Sequence, residues 1–182
     1  MNKVTKILII VLSAVLLVAG SVAGTLAWLT AQTGPITNTF TIGQIGLTLD
    51  ETTGESYKIV PGVDIPKDPI VTVAADSEPC WVFVKVEETN WNKDILRYEI
   101  AEGWTRLDGE EDVYYRQVAT PASAQPFPVL ADDKVTVPNT VTKEMLSAIT
   151  AVNEPKLTFT AYAIQLAGFE DKVDDAWKEF NP

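Results

Sequence analysis

The sequence contains no histidine and only one cysteine in 182 residues. The absence of histidine excludes a Ser-His-Asp triad, a Cys-His pair and the His-Glu-x-x-His zinc motif. With one cysteine, no disulfide bond can form within the chain. Cys80 begins an apolar stretch, in Pro79-Cys80-Trp81-Val82, and no neighbour in the sequence would make its thiol reactive, so we interpret it as a small buried hydrophobic residue. The sequence therefore predicts a protein that is not an enzyme, and it indicates no catalytic residue, metal ligand or cofactor.

Basic residues are scarce as well, since 14 lysine and arginine residues stand against 25 aspartate and glutamate residues. Residues 1–27 contain two of the lysines and no acidic residue; without them 12 basic and 25 acidic residues remain, a net charge of −13. Binding to nucleic acid or to anionic lipid needs clustered lysine and arginine, which this sequence lacks. We therefore predict no nucleic-acid partner and interpret the acidic surface as that of a soluble protein.

The first 27 residues have the pattern of an export signal. Lys3 and Lys6 form a short positive region, an apolar run follows, and a stretch rich in small residues leads to Ala27. We predict cleavage between Ala27 and Trp28 by a signal peptidase, and a secreted product in the extracellular space or at the cell surface. The alternative is a retained membrane anchor, because residues 7–29 carry no charge and are long enough to cross a bilayer core of about 30 Å.

The rest of the sequence predicts about eight short strands and few helices, because short apolar stretches alternate with turn residues. We predict strands within residues 39–50, 57–60, 70–74, 81–88, 103–107, 113–117, 129–130, 134–137 and 156–165. Two stretches are rich in proline, which has no N–H to donate to a central ladder. We predict an edge or a crossing loop over residues 61–69 and a connection over residues 120–128. Short helices are predicted over residues 142–151 and 170–180, whereas residues 94–100 fit either a helical turn or a strand.

Two strand predictions rest on clear alternation. In residues 81–88, three valines share one face and aromatic and then charged residues share the other, so we place this strand in the middle of a sheet. In residues 156–165 the shared apolar face consists of Leu157, Phe159, Ala161 and Ala163.

Short strands with regular turn signals favour an all-β fold. We predict a two-sheet β-sandwich of jelly-roll or immunoglobulin type with one or two short helices. The expected organisation is a signal peptide over residues 1–27, an N-terminal arm over residues 28–41, and the sandwich domain with its C-terminal helix over residues 42–182.

Several stretches of the chain resemble a known protein family. Gly24-Thr25-Leu26-Ala27-Trp28-Leu29-Thr30, continuing through Asn38-Thr39-Phe40-Thr41-Ile42-Gly43 into Gly46-Leu47-Thr48-Leu49, resembles the exported TasA/camelysin-like proteins of Gram-positive bacteria. The stretch from Cys80 to Glu88, and Ala161-Tyr162-Ala163-Ile164-Gln165 with Gly168-Phe169 and Ala176-Trp177, resemble a clostridial branch of these proteins.

The resemblance implies an alternate, SipW-type signal peptide, cleaved by a dedicated signal peptidase of the endoplasmic-reticulum type, and a jelly-roll domain. In the TasA branch it also implies extracellular fibres of the biofilm matrix, joined by an N-terminal strand that each subunit donates to the next. Camelysin was named as a metalloprotease, but this sequence has no histidine and no recognisable zinc motif, so we do not transfer that activity.

Removal of the signal would leave residues 28–41 as an N-terminal arm. Its large apolar residues, Trp28, Leu29, Ile36 and Phe40, are the candidate assembly residues. Such an arm can add to the sheet edge of another subunit, where backbone hydrogen bonds supply affinity and alternate side chains supply register. Alternatively, the arm pairs with its own sheet or stays disordered. We expect an exported structural protein of the cell surface or extracellular matrix, whose partners are further copies or other matrix and cell-surface proteins.

A different functional class is a surface module that binds carbohydrate or protein. Trp91, Trp104, Tyr114 and Tyr115 are candidates for an aromatic platform, since aromatic rings offer a large contact area at low entropic cost. The alternative for these residues is core packing or cross-strand packing within a hairpin.

Acidic clusters raise the question of calcium. They are Glu87-Glu88, Glu110-Glu111-Asp112, Asp132-Asp133 and Asp171 with Asp174-Asp175. None follows the Asp-x-Asp-x-Asp-Gly loop pattern, and solvated turns explain them equally well.

Overall fold

The computed structural model describes residues 2–5, 9, 12–15, 43–54 and 57–180. The chain divides into two compact units, residues 1–41 and 42–182. The predicted cleavage site between Ala27 and Trp28, and the arm residues Leu29, Ile36 and Phe40, lie outside the described residues.

Within the first unit, the described residues are mostly helical. They include residues 3–5, 9 and 12–15. Ser13 Oγ donates a hydrogen bond to the carbonyl of Ile9 at 2.8 Å, one helical turn earlier. None of the helices in the described ranges is both long enough and apolar enough to span a membrane.

The second unit is all-β, with antiparallel sheets and a few short helices, as the sequence predicts. Its strands are β1 (Leu47–Asp50), β2 (Ile65–Pro66), β3 (Ile70–Val73), β4 (Cys80–Thr89), β5 (Thr105–Arg106), β6 (Val113–Val118), β7 (Gln125–Pro128), β8 (Lys134–Val135) and β9 (Lys156–Gln165). The helices are α1 (Lys143–Ser147) and α2 (Val173–Lys178), with a 3-10 turn at Ala131–Asp133. Three sheets result, with strand orders β1-β3-β7, β5-β6-β4-β9 and β2-β8.

Strand β4 lies inside the four-stranded sheet, between β6 and β9, which confirms the predicted central position. Val82, Val84 and Val86 on its inner face are at most 1% exposed. Burying each of these side chains contributes about 1.5–3 kcal/mol. Glu87 and Glu88 at the far end are exposed, so the strand is covered at one end and solvated at the other.

The main core lies between the three-stranded and the four-stranded sheets. Its buried residues are Val71, Val73, Cys80, Val82, Val84, Val86, Trp104, Val118 and Val129. Inward-facing residues of the two outer strands β1 and β9 pack against it but are only partly buried. The core is therefore complete at its centre and thinner along β1 and β9.

A second core lies beside the two-stranded sheet. Ile65 of β2 and Val135 of β8 pack there with Ile95, Leu96, Leu130, Val137 and Val141. Helix α1 covers part of this core with Met145 and Leu146. It begins at Thr142, whose hydroxyl accepts a hydrogen bond from the N–H of Met145 and so satisfies one free donor of the first turn.

The outer face of the four-stranded sheet is covered by helix α2. Trp177 of α2 packs on Phe83 and on Tyr162, with ring centroids 5.3 Å apart in both pairs. Trp81, on the same face, donates its indole N–H to the carbonyl of Phe169 at 2.8 Å. The predicted apolar stripe of this helix is thereby confirmed, since Val173, Ala176, Trp177 and Phe180 all belong to one buried cluster.

The predicted connection over residues 120–128 is wrong in part, because it contains strand β7. Val129 N–H donates to the carbonyl of Pro69 at 2.9 Å, and hydrogen-bonded pairs recur at every second residue of an antiparallel ladder. The backbone positions of Pro126 and Pro128 therefore face away from β3. The missing proline N–H costs the ladder no hydrogen bond there, which is why an edge strand accepts these prolines.

The predicted strand over residues 57–60 is also wrong, since these residues form neither strand nor helix. Pro61 follows without an N–H to donate, and Gly62 adopts a positive φ of 73° in a turn. Residues 94–100, for which the sequence left two possibilities, form a turn followed by two isolated bridges, from Arg97 to Thr136 and from Ile100 to Leu130.

Candidate functional site

The longest sheet edge in the described structure is the outer edge of β9. This strand has ten residues, is the last in the order β5-β6-β4-β9, and pairs only with β4. It contains no proline or glycine, and Lys156 is its only charged residue. An uninterrupted edge of this kind offers unpaired N–H and C=O groups to another chain.

Hydrogen bonds next to the β4–β9 ladder fix which backbone groups of β9 face outward. Leu166 N–H donates to the carbonyl of Pro79 at 2.7 Å. Because hydrogen-bonded pairs recur at every second residue, the even-numbered residues of β9 direct their backbone groups at β4. The odd-numbered residues, from Leu157 to Gln165, direct theirs outward, and among the described residues these outward groups have no hydrogen-bond partner.

Strand β1 presents a shorter edge on the same side of the molecule. Ala74 N–H donates to the carbonyl of Gly46 at 2.8 Å, which by the same alternation leaves the backbone groups of Leu47 and Leu49 facing outward. β1 and β9 approach each other closely although they belong to different sheets. We call this the open side; its half-buried inner residues are Leu47, Leu49, Leu157, Phe159, Ala161 and Ala163.

The opposite edges of the two large sheets are closed. β7 carries its two prolines there, and the carbonyl of Pro128 already accepts a hydrogen bond from the indole N–H of Trp104 at 2.8 Å. The Arg116 guanidinium lies 3.9 Å from the ring centroid of Phe127 and 5.3 Å from that of Trp104. The other outer strand, β5, has only two residues. The open side is thus where these sheets best admit a further strand.

A groove lies where β9 begins. Its volume is about 610 Å³, within the range of about 300–1,000 Å³ that is typical of ligand pockets. Ile65, Leu96 and Val135 of the second core line it, with Leu146 of α1, Ile149 just after it, and Leu157 and Thr158 of β9. The remaining lining residues are Tyr57, Ile59, Lys67, Trp91, Glu154, Pro155 and Lys156. We call this cavity the groove.

Lys67 is the buried cation of the groove, with a residue exposure of 9%. Its Nζ lies 2.6 and 2.7 Å from the two carboxylate oxygens of Glu51. The same ammonium lies 5.3 Å from the ring centroid of Tyr57 and 5.5 Å from that of Phe159. Such ring faces add favourable electrostatic contact with a cation, and the Glu51 carboxylate compensates its charge.

The segment that carries Glu51 is tied to the loop after β2 through Asp68. The N–H groups of Thr52 and Thr53 donate to Asp68 Oδ1 at 2.9 and 3.0 Å. The hydroxyl of Thr52 donates to Asp68 Oδ2, and these hydrogen bonds hold the pKa of the Asp68 carboxyl well below its usual range. Tyr57 closes this network with a hydrogen bond from its hydroxyl to Glu51 Oε1 at 2.7 Å, and burial raises the pKa of that hydroxyl.

The four aromatic candidates do not form one platform. Trp91 lines the groove and packs edge-on against Tyr98, with centroids 5.7 Å apart. Trp104 is buried in the main core, against which Tyr114 also packs. Tyr115 lies on the other face of β6 and contacts Trp81 at 5.7 Å. Of the four, only Trp91 is placed to contact a ligand in the groove.

Cys80 and the acidic clusters take part in no assembled site. Cys80 is fully buried, and this burial raises the pKa of its thiol to about 11. Within the described ranges, no group of three or more Asp, Glu or Cys side chains is arranged to hold a metal ion. Glu110 instead accepts a hydrogen bond from the indole N–H of Trp177 at 3.2 Å.

The chain was compared with models of protein families, with curated proteins and with solved structures. None of the three comparisons gives a match.

Sequence reasoning missed the groove. Glu51 and Lys67 lie in segments that the pattern assigns to a polar turn and to a proline-rich crossing loop. One signal was available, since Lys67 stands between Pro66 and Asp68 in a segment with apolar residues on both sides. The sequence pattern does not show whether a lone lysine in such a segment is exposed or buried, and only the fold brings Glu51 to it.

Proposed function

We propose that the protein is an exported, non-catalytic structural protein of the cell surface or of an extracellular biofilm matrix, and that it assembles by strand donation. In this proposal a signal peptidase removes residues 1–27, and residues 28–41 of one copy add to the outer edge of β9 in the next. The observation that supports it is the row of outward backbone groups from Leu157 to Gln165, which lack a partner among the described residues. The two facing sheets would then be a jelly-roll-like sandwich, as the resemblance to TasA/camelysin-like proteins implies.

Charge favours the N-terminal arm as the added strand. Without residues 1–27 each copy carries a net charge of −13, so any two copies repel each other. Residues 28–49 contain no charged side chain and are the longest uncharged run in the chain after residue 27. A contact between this segment and β9, whose only charged side chain is Lys156, brings no like-charged side chains together.

The open side also offers enough contact for a stable addition. β9 has ten residues, and a strand of that length spans about 33 Å. Each backbone hydrogen bond contributes a net of about 0.5–1.5 kcal/mol. The half-buried inner residues of β1 and β9 would add apolar burial at about 25 cal/mol per Å².

The direct test uses purified residues 28–182, studied by size-exclusion chromatography and negative-stain electron microscopy over a range of concentrations. We expect filaments that appear as the concentration rises. Deleting residues 28–38 should abolish them while leaving a folded monomer, as judged by circular dichroism. Filaments that persist unchanged after this deletion would refute strand donation.

A substitution on β9 tests the acceptor edge separately. Ala161→Pro removes one outward N–H, and because this N–H makes no bond to β4, the fold should survive. The matched control, Ala161→Ser, keeps the N–H and is also small. We expect assembly to be lost with Ala161→Pro and kept with Ala161→Ser, at similar melting temperatures. Equal assembly of the two variants would rule out the edge of β9.

The groove favours a second candidate function, a cell-surface module that binds carbohydrate or protein. Trp91 and Tyr57 present aromatic rings to an open cavity of about 610 Å³, and aromatic side chains are frequent anchors of recognition. A chain that stays monomeric at every concentration, and whose tryptophan fluorescence is quenched by glycans, would support this function over assembly.

A further inference from the structure

The groove continues the line of the β9 edge. Leu157 and Thr158 belong to β9 and also line the groove, whereas Glu154 and Pro155 line it just before the strand begins. A strand that pairs with β9 therefore has no further backbone partner beyond the start of β9. The next side chain of that strand contacts the groove. This inference rests on the proposed strand addition and asks how the added strand is anchored and in which direction it runs.

The groove suits an uncharged aromatic side chain. Its lining includes aliphatic residues, among them Leu96, Leu146 and Leu157, and its buried cation is neutralised by Glu51 at 2.6 and 2.7 Å. Glu154 and Lys156 at the rim carry opposite charges. The groove therefore offers no net charge to an occupant, and the ring of Trp91 offers an aromatic contact.

Cleavage after Ala27 leaves such a group, Trp28, at the start of the uncharged run over residues 28–49. Residues 28–34 read Trp-Leu-Thr-Ala-Gln-Thr-Gly, and Pro35 follows, which cannot donate an N–H to a ladder. The strand-forming part thus has seven residues, Trp28 to Gly34, and fits along the ten residues of β9. Cleavage after Ala27 places Trp28 at the free end of this part, where its indole can turn into a cavity beyond the last backbone pair.

We infer that the groove is the socket for the Trp28 side chain of a second copy, and that the donated strand runs parallel to β9. With Trp28 in the socket, Leu29 lies beside Leu157 and faces the core, and Thr30 lies beside Thr158 on the outer face. Gly34 then lies beside Tyr162, and Pro35 ends the pairing at Ala163, where the chain leaves for its own domain. Trp28 is the anchor of the contact, and the pairs along β9 set its register.

Substitutions at both ends of this contact test the socket. Trp28→Ala in residues 28–182 should raise the concentration needed for filaments about thirtyfold, as expected for loss of a buried aromatic hot spot. Trp28→Phe should form filaments at a concentration close to that of the unsubstituted protein. Thr39→Ala, beyond Pro35, should leave the required concentration unchanged. Ile149→Trp, which fills the groove, should weaken assembly as Trp28→Ala does. Filaments of normal stability with both Trp28→Ala and Ile149→Trp would overturn the socket.

Disulfide cross-linking tests the direction and does not depend on the groove variants folding equally well. Thr30→Cys mixed with Thr158→Cys should give an oxidised dimer in high yield. Thr33→Cys mixed with Thr158→Cys should not, because Thr33 lies beside Ala161 in the parallel strand and would lie beside Thr158 only in an antiparallel strand that starts at Ala163. The reverse result, with filaments still present, would mean an antiparallel strand and would overturn the inference while leaving strand donation intact. Absence of filaments and of both cross-links would instead refute the proposed function. Glycan quenching of Trp91 in a monomer would assign the groove to another ligand and would also overturn the inference.

Discussion

Replacing Glu51 by glutamine should destabilise the domain by far more than a typical ion-pair variant. The carboxylate contacts Lys67 Nζ through both oxygens, and the two side chains are 23% and 11% exposed. Glu51→Gln leaves the ammonium buried with no anionic partner. Loss of one partner from a fully buried pair costs about 3–5 kcal/mol. Because Glu51 is in part solvated, we expect about 2–3 kcal/mol here, between the buried and the surface case.

The double variant Glu51→Gln with Lys67→Met decides whether the buried charge causes this loss. Methionine keeps an unbranched apolar side chain against Tyr57 and Phe159 but carries no charge. Replacing both members of a buried pair by neutral groups of similar size is often close to neutral. We therefore expect the double variant to be more stable than Glu51→Gln alone, with a loss of no more than about 1 kcal/mol.

Urea unfolding of residues 28–182, followed by tryptophan fluorescence at a concentration below assembly, measures these differences. With a urea slope of about 1–3 kcal/mol per M, the midpoint of Glu51→Gln should fall by about 1–2 M. Asp175→Asn is the matched surface control, because it breaks a pair with Lys178 whose side chains are 55% and 69% exposed. That control should change the urea midpoint little, because exposed ion pairs contribute little to stability. Equal losses in Glu51→Gln and Asp175→Asn, or a double variant less stable than Glu51→Gln, would refute the reasoning.

Three further results are expected. Raising the ionic strength from about 0.01 to about 0.15 M shortens the Debye length from about 30 to about 8 Å, so filaments should form faster between copies of charge −13; a constant rate in light scattering would contradict this. Burial raises the pKa of the Cys80 thiol from 9.0 to about 11, so at pH 8 a thiol reagent should label Cys80 only at the rate of unfolding. The stability of the domain should also fall as the pH rises above about 9, because the thiol ionises first in the unfolded state. Rapid labelling of the native protein would argue against burial. The pKa of Asp68 is lowered in the folded state, so the ionised carboxylate stabilises the fold above about pH 4, and this stabilisation is lost as the pH falls. Asp68→Asn should therefore reduce the loss of stability on the acid side of the pH profile. An unchanged acid slope would contradict the stabilisation of the carboxylate by hydrogen bonds from Thr52 and Thr53.

Local alternation was sufficient to predict the strands with one clearly apolar face. Strands β4 and β9 lie within one residue of their predicted ends, because the valines of the first and Leu157 to Ala163 of the second alternate strictly. Strands β5 and β6 also fall within or next to the predicted strands over residues 103–107 and 113–117, and they pair as a hairpin with Gly109 at a positive φ of 83° in its loop. In each case the residue pattern that predicts the element lies within the element itself.

The features that the sequence did not reveal depend on residues far apart in the chain. β7 was missed because proline is read as a strand breaker, and only the pairing with β3 places Pro126 and Pro128 on the outward side. The groove was missed because Glu51 and Lys67 meet only after β1 and β2 have joined different sheets. No local pattern marks the outward side of β7 or the pairing of Glu51 with Lys67.

The prolines of β7 have a consequence for the form that an assembly can take. With the β7 edge closed by Pro126, Pro128 and the Trp104 indole, and with β5 only two residues long, a subunit that takes the donated strand at β9 has one acceptor and one donor. In the language of polymer chemistry, such a monomer has a functionality of two. Units of this kind join head to tail, and because the contact is heterologous it extends without closing unless the rotation between neighbours happens to form a ring. Growth is then linear and unbranched, and any cross-linking of such filaments into a network has to come from a second component.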